Sequence, residues 1–486
     1  MDPPKRVYVA VTIFVVLATI LSMQAVGVVT LGASDSPREE VATTPTDPEM
    51  TPVEGDSLPH DLPPGSTLVS VQSYDSFATS DGRAYIVGPD GEEHWEWDPP
   101  NHRVFHSEML PDGNVLVAAG REVPNAECPE EYQDAPEPDH RHSDHCIENR
   151  VVVLDYDTKE LVFEYSWWDL FMEYHEVHDV TTTDDGEIAV IDMGKNRAFT
   201  VDMDGEKTWE WDAVEHLDQD SEFQEEYGGP DYHGPEQDWT HMNDINQLDN
   251  GNFQMSIRNF DMLIEVDPET DEIVDVIGEP GNTDLLHHQH NPQPLPERGT
   301  VMVADSENNR IVEIDTDTEE ILWQYGGTGE LDWPRDADLM PNGHILIVDT
   351  LHFEVFELNP EGEVVWTHQV HHPDDDDDRE RGLAYSAHRL DVDGQYIEYE
   401  QSTFEEDPQT PVPGETMTPI LEGGSEADDP DNIVIVYAYR AVSWGQLYLG
   451  DWVTIPAALN AVGVVLSGLW LVGEGGLLGW RKYQEG

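Results

Sequence analysis

From about residue 67 to 400, short apolar runs alternate with polar turns in a recurring unit. One half of the unit is a turn followed by an apolar run. It appears as LPDGNVLVAAG from residue 110, TDDGEIAVID from 183, LDNGNFQMSI from 248, PERGTVMVAD from 296 and MPNGHILIVD from 340. Asp-Gly and Asn-Gly pairs in such a setting are strong hairpin-turn signals. The other half is a strand ending in Asp or Asn, a turn, and a strand ending in aromatic residues. It appears as VVVLDYDTKELVFEY from 151, AFTVDMDGEKTWEW from 198, LIEVDPETDEIVDV from 263, IVEIDTDTEEILWQY from 311 and VFELNPEGEVVWTH from 355.

Each unit holds four short strands in two hairpins. Repeats of about 45 residues built this way are propeller blades. Five blades read as complete, and the sixth reads as split. Its outer half is AYIVGPDGEEHWEW from 84 and its inner half SAHRLDVDGQYIEY from 386. Sharing one blade between the two ends closes the ring and leaves no open edge. The count predicts six blades. NIVIVYAY from 432 is either a strand of a seventh or a link to the apolar run near the C-terminus.

Two longer apolar runs flank the repeats. Val7 to Leu31 carries no charge, follows Lys5 and Arg6, and is long enough to span a bilayer. With no small-x-small cleavage site, an uncleaved anchor is expected over a removed signal peptide. Trp452 to Val472 is the second run and precedes Arg481 and Lys482. The basic flanks lie on the terminal sides, so both termini are expected in the cytoplasm and the middle outside. The expected organisation is a fold of all-β class, a six-bladed β-propeller of four-stranded blades with an N-terminal and a C-terminal transmembrane helix. It divides into an anchor (1–32), a Pro/Thr/Asp linker (33–66), the propeller (67–400) and an acidic linker with a candidate closing strand (401–451). The second membrane helix (452–475) and a cytoplasmic tail (476–486) complete the chain.

Charge narrows the setting. The chain has 103 acidic and 22 basic side chains, a formal net charge of -81 spread over 486 residues. Such self-repulsion suits a surface bathed in concentrated salt, where it is screened within a few Å. An extremely halophilic source is the expectation. No basic patch is present to neutralise phosphates, so no nucleic-acid partner is expected. No phosphate-cradling Gly loop precedes a helix, which argues against nucleotide use. The block of five Asp from 374 reads as a solvated loop.

The two cysteines, Cys128 and Cys146, lie in one segment between two strands. Outside the cell they are expected to form a disulfide, worth ~3 kcal/mol in the chain-entropy model. His140, His142 and His145 share the segment, but the spacing is not that of a zinc site. A stapled surface loop is the expectation there, with no metal.

Candidate chemistry lies just upstream of each turn, where a blade's innermost strand begins. His106, His178, His241, His290, Arg335 and His388 occupy that region, six to ten residues before the turn Gly. Innermost strands line a propeller's channel, so the six are expected to converge at one mouth. Arg335 and Arg258 would repel a cation, whereas a guanidinium fork suits sulfate or phosphate oxygens. Histidine can also act as a nucleophile, and group transfer of this kind needs positive charge around the moving oxygens. A recurring packing habit of the repeat is the plain alternative.

These residues resemble the arylsulfate sulfotransferase family of six-bladed propellers. The resemblance covers about residues 67–400, and it is carried by HDVTTTDDG from 178, WTHMNDINQLDNG from 239, SIRN from 256 and QHNPQPL from 289. It implies transfer of a sulfuryl group from an aryl sulfate to a phenolic or other hydroxyl acceptor, glycans included. The implied route is a sulfohistidine intermediate, without phosphoadenosine phosphosulfate or another cofactor. It implies His290 as nucleophile, with His178, His241 and Arg258 catalytic and Asn243 assisting. Arg335, His106 and His388 are added as substrate-binding candidates on position alone. His287 and His288 leave the choice of nucleophile open. The insertion at 121–149 and the two apolar runs depart from the family. Two other readings stay open: a non-catalytic surface propeller for ligand binding or scaffolding, and a metal-dependent hydrolase or lyase. The sequence sets no oligomeric state.

Overall fold

The computed structural model describes residues 62–390, apart from 75–76, 78, 134–144, 171–173, 236, 328, 341 and 373–380. All belong to one compact unit. Three strands open it: β1 (Thr67–Tyr74), β2 (Arg83–Val87) and β3 (Glu93–Trp97). Blade 1 is β4 (His102–Met109), β5 (Val115–Pro124), β6 (His145–Leu154) and β7 (Leu161–Asp169). Blade 2 is β8 (Val177–Thr182), β9 (Ile188–Asp192), β10 (Arg197–Val201) and β11 (Lys207–Asp212). Two short helices, α1 (Ala213–Leu217) and α2 (Glu222–Tyr227), come next. Blade 3 is β12 (Met242–Gln247), β13 (Phe253–Ile257), β14 (Met262–Asp267) and β15 (Glu272–Gly278). Blade 4 is β16 (His290–Leu295), β17 (Thr300–Asp305), β18 (Arg310–Asp315) and β19 (Ile321–Gly326). Blade 5 is β20 (Pro334–Leu339), β21 (Ile345–Asp349), β22 (Glu354–Leu358) and β23 (Val364–Gln369). The last described strand is β24 (Gly382–Arg389).

These strands form six four-stranded antiparallel sheets, and the sixth has the order β24-β1-β2-β3. The first strands of neighbouring blades touch in the sequence β4, β8, β12, β16, β20, β24 and back to β4, which closes the ring. Closure differs from the sequence expectation in one respect. The C-terminal side supplies only the innermost strand of the shared blade. β1 takes the second place, pairing with β24 on one side and β2 on the other. β1 follows a turn at Gly65 (φ 80°) in LPPGSTLVSV, which has the form of LPDGNVLVAAG, but that turn falls in the Pro-rich stretch expected as linker. Residues 391–400, expected as the second strand, lie outside the described residues.

Apolar faces of adjacent blades make the core. Ile191, Ala198 and Trp211 of blade 2 and its exit pack on Met242, Met255 and Ile264 of blade 3. Leu68 and Ile86 of the shared blade pack on Val104, Val117 and Val152 of blade 1. Burial on both faces explains why the inner strands read as continuous apolar runs.

Side chains also staple one blade to the next. Blades 2, 3 and 4 each extend their second strand into a short turn ending in a left-handed residue: Asn196, Asp261 and Asn309, with φ of 51°, 55° and 55°. Asn and Asp tolerate that conformation. Each then accepts a backbone N–H from the segment leading into the next blade: Thr240 at 3.2 Å, His288 at 3.0 Å and Trp333 at 3.1 Å.

Among the described residues no helix is long and apolar enough to cross a membrane. The two apolar runs, both linkers, His140 and His142, the five-Asp block and NIVIVYAY lie outside them. Cys128 and Cys146 are joined by a disulfide that ties the turn after β5 to the start of β6. Both are buried against Val123. Cys146→Ser is expected to lower the unfolding free energy by about 3 kcal/mol. Denaturant titration of the two proteins checks this, and an unchanged midpoint would show the bridge to be dispensable.

Candidate active site

Every innermost strand carries a register shift near its start. The shifts fall between Val104 and His106, Val177 and Asp179, Met242 and Asp244, His290 and Gln293, Pro334 and Asp336, and Ala384 and Ser386. A β-bulge leaves its extra residue unpaired and re-aims the side chain. The extra residues are Phe105, His178, Asn243, Arg335 and Tyr385, with Asn291 and Pro292 on β16.

One cluster forms on this level. The ring of Tyr385 lies 5.4 Å from Phe105, 5.4 Å from His178 and 5.8 Å from His290, measured between centroids. His178 and His241 are 5.5 Å apart. His241, just ahead of β12, is turned in by a left-handed backbone with φ 47°. The Arg335 guanidinium sits over three aromatic faces: Trp333 at 4.4 Å, Tyr385 at 4.6 Å and Phe77 at 5.2 Å. Arg258, in the turn after β13, acts electrostatically on His241, His290 and Arg335.

His106 and His388 do not join this cluster, which corrects the expectation of six convergent residues. Each lies past its strand's bulge, and a one-residue slip moves a side chain to another face. Their rings are 4.9 Å apart. His106 Nδ1 is 3.0 Å from Asp179, and His388 Nδ1 is 2.9 Å from Asp338. With Glu108, Asp244 and Asp336 they form a second, acidic level. There the carboxylates link blades: Asp179 accepts the Ile245 N–H and Asp336 the Ala387 N–H.

The electrostatics of the two levels are opposite. Burial, then His241 and Arg335, hold His178 well below the usual imidazole value. Burial, then Arg335 and Arg258, do the same to His290. His241 is also lowered by burial, although Asp238 at 2.8 Å from its Nδ1 works against this. Arg335 is brought down to about 9 by burial, with Arg258 and Arg103 adding to it, and stays charged at neutral pH. On the second level burial raises Asp179 to about 7 and holds Asp244 and Asp336 well above the carboxylate range. Burial opposes charge on His388, but Asp338, Asp336 and Glu108 reverse this and raise it to about 9.

Several polar atoms of the first level have no hydrogen-bond partner among the described residues: Arg335 Nε, Arg258 Nε, Asn243 Oδ1 and Tyr385 Oη. Among the described residues the Arg335 guanidinium bonds only to Gln72, and that of Arg258 only to Asn259 at 2.8 Å. Neither guanidinium has a carboxylate partner among the described residues, in a chain of net charge -81. Buried polar groups are ordinarily satisfied, so the unpaired set marks a place for a ligand.

His290 has a defined tautomer. Ser306 Oγ donates to the carbonyl of Pro334 at 2.6 Å, so its lone pair accepts from His290 Nδ1–H at 2.8 Å. The proton is held on Nδ1, and Nε2 is left with a free lone pair. His288 is held at about 3 by burial and then by Arg258, His287 and His241, so it borders the first level, and His287 stands beside it. Their backbone N–H groups are anchored on Asp305 and Asp261.

Residues 101–286 match the family model described as Arylsulfotransferase (ASST). The match supports the arylsulfotransferase family and carries Phe105, His178, His241, Asn243 and Arg258. His290, Arg335 and Tyr385 lie beyond it. No curated protein matches the chain. Among solved structures, a Bacteroides caccae protein of unknown function is 12% identical, with 67% of this chain and 98% of that one covered at a TM-score of 0.45. An inactive variant of Staphylococcus aureus virginiamycin B lyase with quinupristin is 11% identical, covering 61% and 83% at a TM-score of 0.37. Likeness at these scores carries no functional weight.

Sequence reasoning does not reach the aromatic residues or Ser306, although one signal points to the bulges. Phe105, His178, Asn243, Asn291 and Arg335 each stand eight residues before a turn glycine: Gly113, Gly186, Gly251, Gly299 and Gly343. A search for His or Arg alone, over a range of gaps, mixes the two levels.

The acidic level makes a pH prediction. His388 titrates at about 9 when folded, above its usual 6.5. Its stabilisation is therefore complete below pH 6.5 and fades as pH rises through about 9. His388→Asn is expected to cost up to about 3 kcal/mol at the low end and little at the high end. Unfolding titrations of both proteins at the two extremes check this, and a pH-independent difference would contradict it.

Proposed function

We propose that this chain is an aryl-sulfate sulfotransferase in which His290 carries the sulfuryl group. The observation that carries the reading is a pair of guanidiniums without carboxylate partners among the described residues, Arg335 and Arg258, beside neutral imidazoles. An anion with three terminal oxygens suits that set. Arg335 and Arg258 take the sulfate oxygens, with Asn243 adding the Nδ2–H that is not given to the carbonyl of Gln289, and the negative charge gathered in the transition state is met by groups already in place. Aromatic faces of Tyr385, Phe105 and Trp333 line the same level and suit the aryl part of the donor.

His290 Nε2 attacks sulfur in line with the departing phenolate oxygen. The sulfur–oxygen bond breaks, and the electron pair leaves with the phenolate. The phenolate leaves as the anion, its charge met by Arg335 and Arg258. His241, neutral and with Nδ1–H on Asp238, then takes the proton of the acceptor hydroxyl on Nε2 as that oxygen attacks the sulfohistidine, and passes it to the released phenolate or to solvent. A neutral nucleophile suits this chemistry, because a protonated imidazole has no lone pair to give. No nucleotide donor enters the scheme. The wider setting proposed with it is a halophilic archaeal surface. The propeller is held outside the membrane by the flanking apolar runs, with a small-molecule donor and a phenolic or glycan hydroxyl as acceptor.

Incubation of the full chain in high salt with p-nitrophenyl sulfate and a phenol tests the reading. Acceptor-dependent nitrophenol release is expected, falling by about 1,000-fold or more in His290→Ala. No turnover by folded protein across several donors would favour a binding propeller. Ser306→Ala is expected to lower kcat by about 10- to 100-fold with KM little changed, because the tautomer is no longer fixed. Because burial holds His290 well below its usual value, kcat/KM should not fall between about pH 8 and about pH 6. Loss of activity over that interval would place the nucleophile elsewhere.

A further inference from the structure

Asp261 differs in charge from the two residues that do the same job in blades 2 and 4. Its counterparts in blades 2 and 4 are Asn196 and Asn309, and all three do one structural job. Each ends the turn after the second strand in a left-handed conformation and accepts an N–H from the next blade's lead-in. A neutral amide oxygen is enough for that. The charge at 261 is not required by the staple, and it is mostly buried.

The surroundings of the charge differ from the other blades as well. The stapled residue is His288, where the counterparts are Thr240 and Trp333, and His287 precedes it. A ligand atom from each of Asp261, His287 and His288 lies within 4.8 Å of the other two. The two imidazole rings are 5.0 Å apart and half-buried, so one side of the trio stays open. Asp261 accepts the backbone N–H of His288. A carboxylate has about four lone-pair sites, so capacity remains for a metal. The other cluster with metal-ligand spacing, Asp349, His352 and Glu354, is less apt: His352 is already ion-paired to Asp349 at 2.8 Å.

We propose that Asp261, His287 and His288 bind one first-row divalent cation of the zinc type, with water or another ligand at the open side. Two imidazoles and one carboxylate with a vacant position form a recognised donor set for such ions. The site bridges the blade 3 turn and the lead-in to β16. His290 begins that strand two residues after His288, so the ion clamps the backbone that presents His290. Arg258 acts on both Asp261 and His288 and opposes the ion, so the negative charge of Asp261 is what admits it. Binding at this site does not depend on the sulfotransferase reading, and its test needs no substrate.

The full chain, stripped with a chelator and kept in the salt in which it is folded, is titrated with Co2+ and then Zn2+. Excess Mg2+ occupies surface carboxylates. Calorimetry and the visible d–d absorption of Co2+ are read together. One ion per chain is expected, with the intense absorption of a four-coordinate imidazole site that Zn2+ displaces. Asp261→Asn keeps the staple that Asn makes in blades 2 and 4, so it should unfold at the wild-type temperature yet bind about 100-fold more weakly or worse. The double variant His287→Ala/His288→Ala should lose the absorption. Failure of the wild-type chain to bind, or Asp261→Asn binding as tightly as wild type, would overturn the proposal. An Asp261→Asn protein that unfolds early is set aside for the His double variant, and retained absorption there would overturn it equally.

Discussion

An extra residue in the innermost strand of each blade decides what stands on the propeller axis. Strand pairing fixes side chains to alternate faces with a period of two, and a bulge interrupts that period once. Before the interruption the chain is still entering the blade, and His241 and His290 lie there. At the interruption the unpaired residue turns toward the axis, as His178, Arg335 and Tyr385 do. Beyond it the strand resumes, and its side chains face the next level, where His106 and His388 meet carboxylates. Two neighbouring residues on one strand, such as His178 and Asp179, thereby serve environments of opposite charge.

The division into levels lets a strongly acidic chain keep cations free in its interior. Among the described residues Arg335 and Arg258 have no carboxylate partner, because the carboxylates of the second level are occupied with the blades themselves. Asp179 and Asp336 accept N–H groups from the next inner strand. Asp338 holds His388. Those bonds fix the blades' relative positions and keep the carboxylates on their own level. Burial then does opposite work on the two levels. It keeps the imidazoles of the first neutral and nucleophilic, and it raises the carboxylates of the second toward their protonated forms.

A repeat also supplies its own controls. The turn after the second strand is built alike in blades 2 to 5, so substitutions within it can be compared at constant backbone. Its first residue is Met193, Arg258, Ser306 and Thr350 in turn. Arg258 projects charge toward the axis, Ser306 fixes the tautomer of His290, and Thr350 bonds the carbonyl of Ala384 at 2.9 Å. The last residue is Asn, Asp, Asn and Phe, and the one charged member meets two imidazoles. Where a position departs from its counterparts without a structural reason, chemistry is the better explanation.

By itself the sequence determined the strand grammar, the six blades and the closure of the ring from both ends. Those arise from local turn chemistry and apolar periodicity, which any short window contains. It also determined that His178, His241, His290, Arg258 and Arg335 bear on the axis, because each lies at the start of an inner strand or in the turn beside one. Tertiary structure alone decided which of them share a level. That depends on where each bulge falls, and a bulge is a property of two paired strands rather than of one. The same reason hid Tyr385, Phe105 and Ser306: nothing in their own neighbourhoods marks them, and only packing across blades brings them to His290. β1 has a turn signal of its own in LPPG, but its place as the second strand of the shared blade was set by pairing with β24, which stands more than 300 residues away in the chain.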